Sequence, residues 1–268
     1  MLQYLQYDFF VQALAGVLLL SVCSAVIGTY IISRRLVAIS GGITHACFGG
    51  LGLGYFLGIS PVFTAALFAV GSSVGIEELS RRYNLREDSA IAVIWALGMA
   101  LGVLFVFMTP GYVPELNGFL FGNILTVSRG DLVVFGAYAA VLAAFFLWKR
   151  RTIVAVAFDR DFAEVSGLPV RFVTYVMTVL VAVCIVLTIR LVGVMLLMSM
   201  MSLPIISAEV FSHRFTPLML ISAAISVVAS VAGLFLSTVI DVPCSALIVL
   251  LLAAVFILFK LAAIVARR

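Results

Sequence analysis

The feature that most narrows the folds open to this chain is a succession of nine long apolar runs. They are Phe9–Ile32, Val37–Gly58, Val62–Leu79, Ala90–Met108, Leu132–Trp148, Val170–Ile189, Val192–Phe211, Pro217–Thr238 and Ala246–Ile264. About 20 mostly apolar residues in a helix cross the hydrocarbon core of a bilayer. Inside lipid every backbone N–H and C=O must find a partner within the protein, and a helix does this within one segment. Residue usage agrees, with 65% hydrophobic and 10% charged residues, where a soluble domain carries about 25% charged ones. So few charges cannot build a polar shell. The sequence predicts an all-α, polytopic transmembrane helix bundle in one domain over residues 1–268, with the lipid bilayer as its solvent and no nucleic-acid partner.

The remaining charges mark the two sides, because Lys and Arg favour cytoplasmic loops. Arg34 and Arg35 follow the first run, Arg81, Arg82 and Arg86 the third, and Lys149, Arg150 and Arg151 the fifth. His213 and Arg214 follow the seventh, and Arg267 and Arg268 the ninth. The intervening gaps carry only Arg129 and Arg190. The predicted topology therefore has its N-terminus outside and its C-terminus in the cytoplasm after nine crossings. The second run is Gly-rich enough to be a broken helix, and a short extra helix around Leu116–Leu125 would alter the count, so eight or nine spans are expected. Met1 to Asp8 lacks Lys and Arg, so the first run is expected to stay as a span and not to be cleaved. Cys23, Cys47, Cys184 and Cys244 fit neither a disulfide framework nor a zinc ribbon and are expected to be buried hydrophobes.

Between helices in lipid there is little hydrophobic drive, so small faces that permit close van der Waals approach do that work. Gly50, Gly54 and Gly58 form consecutive small-xxx-small steps, and Ser222, Ser226 and Ser230 repeat the pattern. Both predict helix packing and say nothing of substrate. One sizeable segment outside the spans runs from Lys149 to about Arg171. In it Asp159 or Asp161 is placed to cap a short helix, Gly167 to end it, and Pro169 to restart the chain. A short amphipathic helix on the cytoplasmic face is what a membrane subunit needs to touch a motor protein. A solvated loop is the competing expectation.

Few side chains are equipped for chemistry. His45 lies roughly 12 Å along the second run, and an ionisable residue at that depth is a functional-site candidate by default. Helical spacing gives it one face with Ala38, Gly41, Gly42, Gly49 and Gly52, so it should project into a tight interface or a pore, with Ser40 and Thr44 nearby as hydrogen-bonding groups. Neutral imidazole binds Zn²⁺, Mn²⁺ and Fe²⁺. The metal-pathway candidates are His45, Glu209 near the end of the seventh run and Asp241 after the eighth; Asp131 opens the fifth. For the carboxylates the alternative is an interfacial charge or helix cap, and for His45 a packing role. His213 is read as interfacial, and Met195, Met198, Met200 and Met201 as core filling. No second deep His or paired intramembrane Asp accompanies His45, which argues against an intramembrane enzyme. With no GxxxxGK[ST] loop, any ATP hydrolysis belongs to another polypeptide.

Several stretches together resemble one family. Arg34-Arg35-Leu36-Val37-Ala38-Ile39-Ser40-Gly41-Gly42-Ile43-Thr44-His45-Ala46 is similar to a stretch in the membrane permeases of ATP-binding-cassette importers for zinc, manganese and iron. Phe119-Leu120-Phe121-Gly122-Asn123-Ile124-Leu125 with Asp131 resembles a second family segment. The stretch from Asp159 through Gly167, Pro169 and Val170 to Arg171 looks like the coupling segment that docks on the ATPase. Val192-Gly193-Val194-Met195-Leu196-Leu197 through Leu203-Pro204 is a fourth match, and Asp241-Val242-Pro243 with Ile248-Val249-Leu250 a fifth. They follow the family's order along nearly the whole chain.

The resemblance implies a type II ABC-importer-like permease in a prokaryotic cytoplasmic (inner) membrane. It would work as a homodimer with the pathway at the two-fold axis. ATPase subunits, which bind the ATP, would dock below, and an extracytoplasmic metal-binding protein above. The coupling segment, at about 152–169, would offer Asp159, Phe162, Glu164 and Gly167 to the ATPase. No covalent cofactor and no enzymatic step on this chain are implied. The expected cargo is a divalent metal, zinc first, then manganese or iron; siderophore or cobalamin uptake, an intramembrane enzyme and a non-transporting scaffold are the alternatives. Gly41 stands where the family carries an Asp one turn before the His, which removes a hard oxygen ligand and weakens manganese most. Ser245 stands near the place of a family Gly after Asp-x-Pro.

Overall fold

A computed structural model of the chain describes residues 6–110, 122 and 124–266. Among the described residues the regular structure is helical: α1 (Asp8–Ser33), α2 (Ala38–Leu57), α3 (Pro61–Tyr83), α4 (Glu87–Met108), a 3-10 turn (Ile124–Thr126), α5 (Arg129–Phe158), α6 (Arg160–Val165), α7 (Val170–Ala208), α8 (Phe215–Ile240) and α9 (Cys244–Ala266). The expected extra helix around Leu116–Leu125 lies mostly outside the described residues. Among the described residues, seven helices are long and apolar enough to cross a membrane. The sixth and seventh apolar runs are joined in the 39 residues of α7. The second run forms α2, which is continuous and not broken. Its 20 residues measure about 30 Å, but six glycines and His45 dilute its hydropathy, and α2 is the long helix outside the seven.

Local chemistry sets the helix ends. Ser128 and Asp131 form a capping box at the start of α5: the Asp131 N–H donates to Ser128 Oγ at 3.2 Å, and the Ser128 N–H donates to Asp131 Oδ2 at 3.2 Å. These bonds satisfy donors that the first helical turn leaves open. Pro61 begins α3, where its missing N–H costs nothing. Glu87 and Asp88 occupy the first turn of α4, complementing the positive end of the helix dipole.

The chain divides into two compact units, Met1–Ser33 with Asn117–Trp148 and Leu191–Arg268, and Arg34–Leu116 with Lys149–Arg190. Both α5 and α7 contribute to each, and both are interrupted, at Lys149 and at Gly193. Gly193 has φ 80° and ψ 173°, a conformation essentially restricted to glycine.

In the first unit α1 packs on α7 and α8. A Cβ at Gly28 would stand 2.7 Å from the Met201 carbonyl oxygen, so these two backbones touch. Phe10 meets Phe235 with ring centroids 5.1 Å apart, and Ile32, Ile205, Ala208 and Leu218 form a buried cluster at the other end of α1. Ser222, Ser226 and Ser230 are fully buried along α8.

In the second unit α2 lies against both α3 and α4. A Cβ at Gly50 would be 2.5 Å from the Thr64 carbonyl oxygen and 2.6 Å from Ala65 Cα, and one at Gly54 2.7 Å from Pro61 Cα. On the other face, a Cβ at Gly52 would be 2.6 Å from the Gly102 carbonyl oxygen, and one at Gly98 2.4 Å from Ala46 Cα. Both faces are backbone-to-backbone contacts that any side chain would pry open. The glycine step ends at Gly54. Gly58, with φ 67° and open space where a Cβ would stand, closes α2 as its C-cap.

Candidate metal pathway and coupling segment

His45 sits in the middle of α2, half-buried, with its ring parallel to that of Trp95 on α4 at 4.6 Å between centroids and 1° between planes. Phe48 lies 6.1 Å away on the same helix. The His45 Nδ1 is buried and has no hydrogen-bond partner among the described residues. Ser40 and Thr44 do not supply one: the Thr44 hydroxyl donates to the Ser40 carbonyl at 2.6 Å, and the Ser40 hydroxyl to the Val37 carbonyl at 3.0 Å. The expected bare glycine face is not an open pore within this unit. Gly42, Gly49 and Gly52 are met by Ile91, Phe68 and Gly98, and Gly102 respectively, because removing side chains from one helix lets the next come closer. Gly41 is buried.

The other pathway candidates lie at helix ends. Glu209, half-buried, is in the turn after α7, its N–H donating to the Ile205 carbonyl. Asp241 is the exposed C-cap of α8, with φ 58° and its N–H donating to the Ser237 carbonyl at 3.0 Å. His213 is exposed in the turn before α8. Among the described residues no group of three or more His, Cys, Asp or Glu side chains is placed to hold a metal ion.

The segment between α5 and α7 folds as its sequence anticipates. Asp159 is the N-cap of α6, its carboxylate accepting from the Phe162 N–H at 2.9 Å. At the C-terminus the Gly167 N–H donates to the Glu164 carbonyl at 3.0 Å, and the Leu168 N–H to the Ala163 carbonyl at 3.1 Å. With Gly167 at φ 71°, this is a Schellman closure, which needs the left-handed conformation that glycine supplies without strain. Ala163, Val156 and Val170 form its small core. Opposite that core Phe162 and Val165 are 64% and 89% exposed. Beside them an open groove of about 620 Å³ is lined by Glu164, Leu168, Pro169, Phe172 and Tyr175, among others. Large apolar side chains held outward on a capped helix are suited to contact with another protein.

Sequence reading did not anticipate three features. Trp95 covers His45 from a helix distant in sequence. Gly122 meets the interruption in α7: a Cβ there would be 2.3 Å from both the Gly193 nitrogen and the Val192 carbonyl carbon, which brings two of the family-like segments together. An ion-pair cluster ties Arg34, Glu77, Glu87 and Arg160. The signal for the last was present, since Glu77 falls near the end of an apolar run, where a charge needs a partner.

Residues 6–263 match the ABC 3 transport family. The chain belongs to that family. Among its relatives is the manganese transport system membrane protein MntC of Halalkalibacterium halodurans, 31% identical over 96% of this chain and 88% of that one. Another is a protein of Haemophilus influenzae described as a probable iron transport system membrane protein, 30% identical over 96% of this chain and 95% of that one. The structure of PsaBC from Streptococcus pneumoniae in complex with Fab shares the fold, with a TM-score of 0.82 at 24% identity over 97% of this chain and 95% of that one. Membership extends over both compact units, and the chain is a multi-pass protein of the bacterial inner membrane.

Proposed function

We propose that this chain is the membrane-spanning permease subunit of an ATP-driven importer for divalent metal ions, with manganese and iron ahead of zinc. The observation that carries the reading is the family match over residues 6–263, joined to relatives named for manganese and iron at 30% identity or more. In this reading His45 lines the path, and Glu209 and Asp241 are acidic positions near its ends. The chain works as a homodimer with separate ATPase subunits and an extracytoplasmic metal-binding protein. Asp159, Phe162, Glu164 and Gly167 belong to the docking segment, at about 152–169. Vesicles holding the intact importer should take up radioactive manganese or iron when ATP is supplied; uptake of a siderophore complex in place of the free ions would refute the cargo. Gly167→Val forces a β-branched residue to φ 71°, a strain of about 1–3 kcal/mol. It should weaken ATPase association and uptake together while membrane insertion is unchanged, and undiminished coupling would reduce the segment to a loop.

The span count belongs to the same proposal. The start of α7 packs with α6 through Val170 and Ala163, and Tyr175 donates a hydrogen bond to Glu78 at the end of α3 that leads to Asn84. The end of α7 packs through Ile205 and Ala208 on Ile32, where α1 leads into Arg34. In this reading both ends of α7 belong with cytoplasmic gaps, and the sixth and seventh apolar runs are separate crossings divided at the interruption at Gly193, giving nine spans with the N-terminus outside. Arg190→Cys should react with a membrane-impermeant thiol reagent from outside, and Asn84→Cys and His213→Cys only after permeabilisation. Arg190→Cys shielded from both sides would make α7 a single crossing.

A further inference from the structure

We infer that Arg34, Glu77, Glu87 and Arg160 form an ionic clasp through which α6 holds the cytoplasmic ends of α2, α3 and α4, so that movement of α6 reaches the helix carrying His45. The inference rests on the reading of α6 as the ATPase contact. The four residues come from separate places in the chain: the turn before α2, the last third of α3, the first residue of α4 and the first residue of α6. Arg34 Nη2 lies 2.5 Å from Glu87 Oε1 and 3.9 Å from Glu77 Oε2. Arg160 Nη1 lies 3.0 Å from Glu77 Oε1 and 3.7 Å from Glu87 Oε1. Each guanidinium thus spans both carboxylates, and each carboxylate meets both guanidiniums.

The burial of the cluster makes it consequential. The Arg34 and Glu77 side chains are 6% and 5% exposed, those of Glu87 and Arg160 24% and 29%. A buried charge is tolerated when it is paired, and removing one partner leaves the others uncompensated. Two positive and two negative charges balance here, so no single member can leave without cost. The apolar contacts of α6 are local by comparison: Ala163 packs on Val156 and Val170, the chain segments that flank it. Arg160 is the residue that reaches α3 and α4, and Arg34 carries the link to the start of α2. Glu164, 3.8 Å from the Arg160 Nε, sits one turn along α6 and adds a further negative charge beside the guanidinium. The planar fork of arginine suits this bridging, which the single ammonium of lysine reproduces only in charge.

The test uses the intact importer with two readouts. Spin labels at Tyr83→Cys and Asp161→Cys, both exposed positions, report how firmly α6 is held to α3; the four native cysteines are buried. ATP hydrolysed per manganese ion imported reports coupling. Arg160→Gln should broaden the distance distribution and raise the ATP cost per ion about tenfold while hydrolysis itself continues. Arg160→Lys should recover much of the coupling, and Glu87→Gln should behave as Arg160→Gln does. Val165→Arg tests the docking reading separately and should release the ATPase. An ATPase that stays bound to Val165→Arg removes that reading and the clasp's role with it. Release by Val165→Arg, combined with an unchanged distance distribution and an unchanged ATP cost in Arg160→Gln, overturns the clasp alone.

Discussion

Gly50→Leu is expected to prevent the α2–α3–α4 bundle from assembling, and no intact permease should be recovered. The atoms that a side chain at Gly50 would strike are the Thr64 carbonyl oxygen, at 2.5 Å, and Ala65 Cα, at 2.6 Å. Both are backbone, so no rotamer change relieves the clash, and α3 as a whole must retreat. Overpacking a core typically costs about 1–3 kcal/mol where side chains can give way. Here the retreat also loses contacts along the shared face, so the cost should exceed that range, a large share of a total stability of about 5–15 kcal/mol. Gly42→Ala should be milder, because its nearest neighbour is the Ile91 Cγ2 at 2.5 Å, the end of a side chain. Gly71→Ala should be neutral, since nothing lies within 4 Å of its added carbon. Size-exclusion profiles and melting curves in detergent decide it: a monodisperse Gly50→Leu protein melting with the wild type would show that the contact is not required.

Legibility in the sequence followed the range of the interaction. The apolar runs gave the long helices because lipid solvation acts on each segment separately. The caps of α6 were readable because Asp159 and Gly167 act within a few residues of themselves. The same locality explains Asp131 and Asp241, whose cap roles could be stated in advance as alternatives to a metal role. Gly50 and Gly54 were readable as small positions, but which helix each would meet was not, and Gly58 shared their spacing while serving as a terminator. Arg34 illustrates the limit best. In the sequence it counts as one of several basic residues marking the cytoplasmic side, whereas in the fold its side chain is 6% exposed and bonded to Glu87, 53 positions away. Trp95 was invisible for the same reason, since nothing near His45 in sequence announces a ring supplied by α4.

In the proposed function His45 serves the ion and not the packing, and the structure supplies a sharper variant than alanine. A ring at position 45 stacks on Trp95, and such aromatic pairs contribute about 0.5–1.5 kcal/mol beyond their buried area. His45→Phe keeps that stack and deletes both ring nitrogens. The unpartnered Nδ1 means that the deletion strands no hydrogen-bonding neighbour at that atom, so the folded protein should survive with its melting temperature nearly intact. Transport should not survive. Even outer-shell partners of a metal are worth about 10–100-fold in affinity or activity, and loss of a residue that meets the ion directly should reach at least that scale. The decisive measurement is ATP-driven uptake of radioactive manganese and iron by vesicles containing the His45→Phe importer, alongside its melting curve in detergent. Native stability with uptake reduced at least about tenfold is expected. Native stability with wild-type uptake would contradict that role of His45.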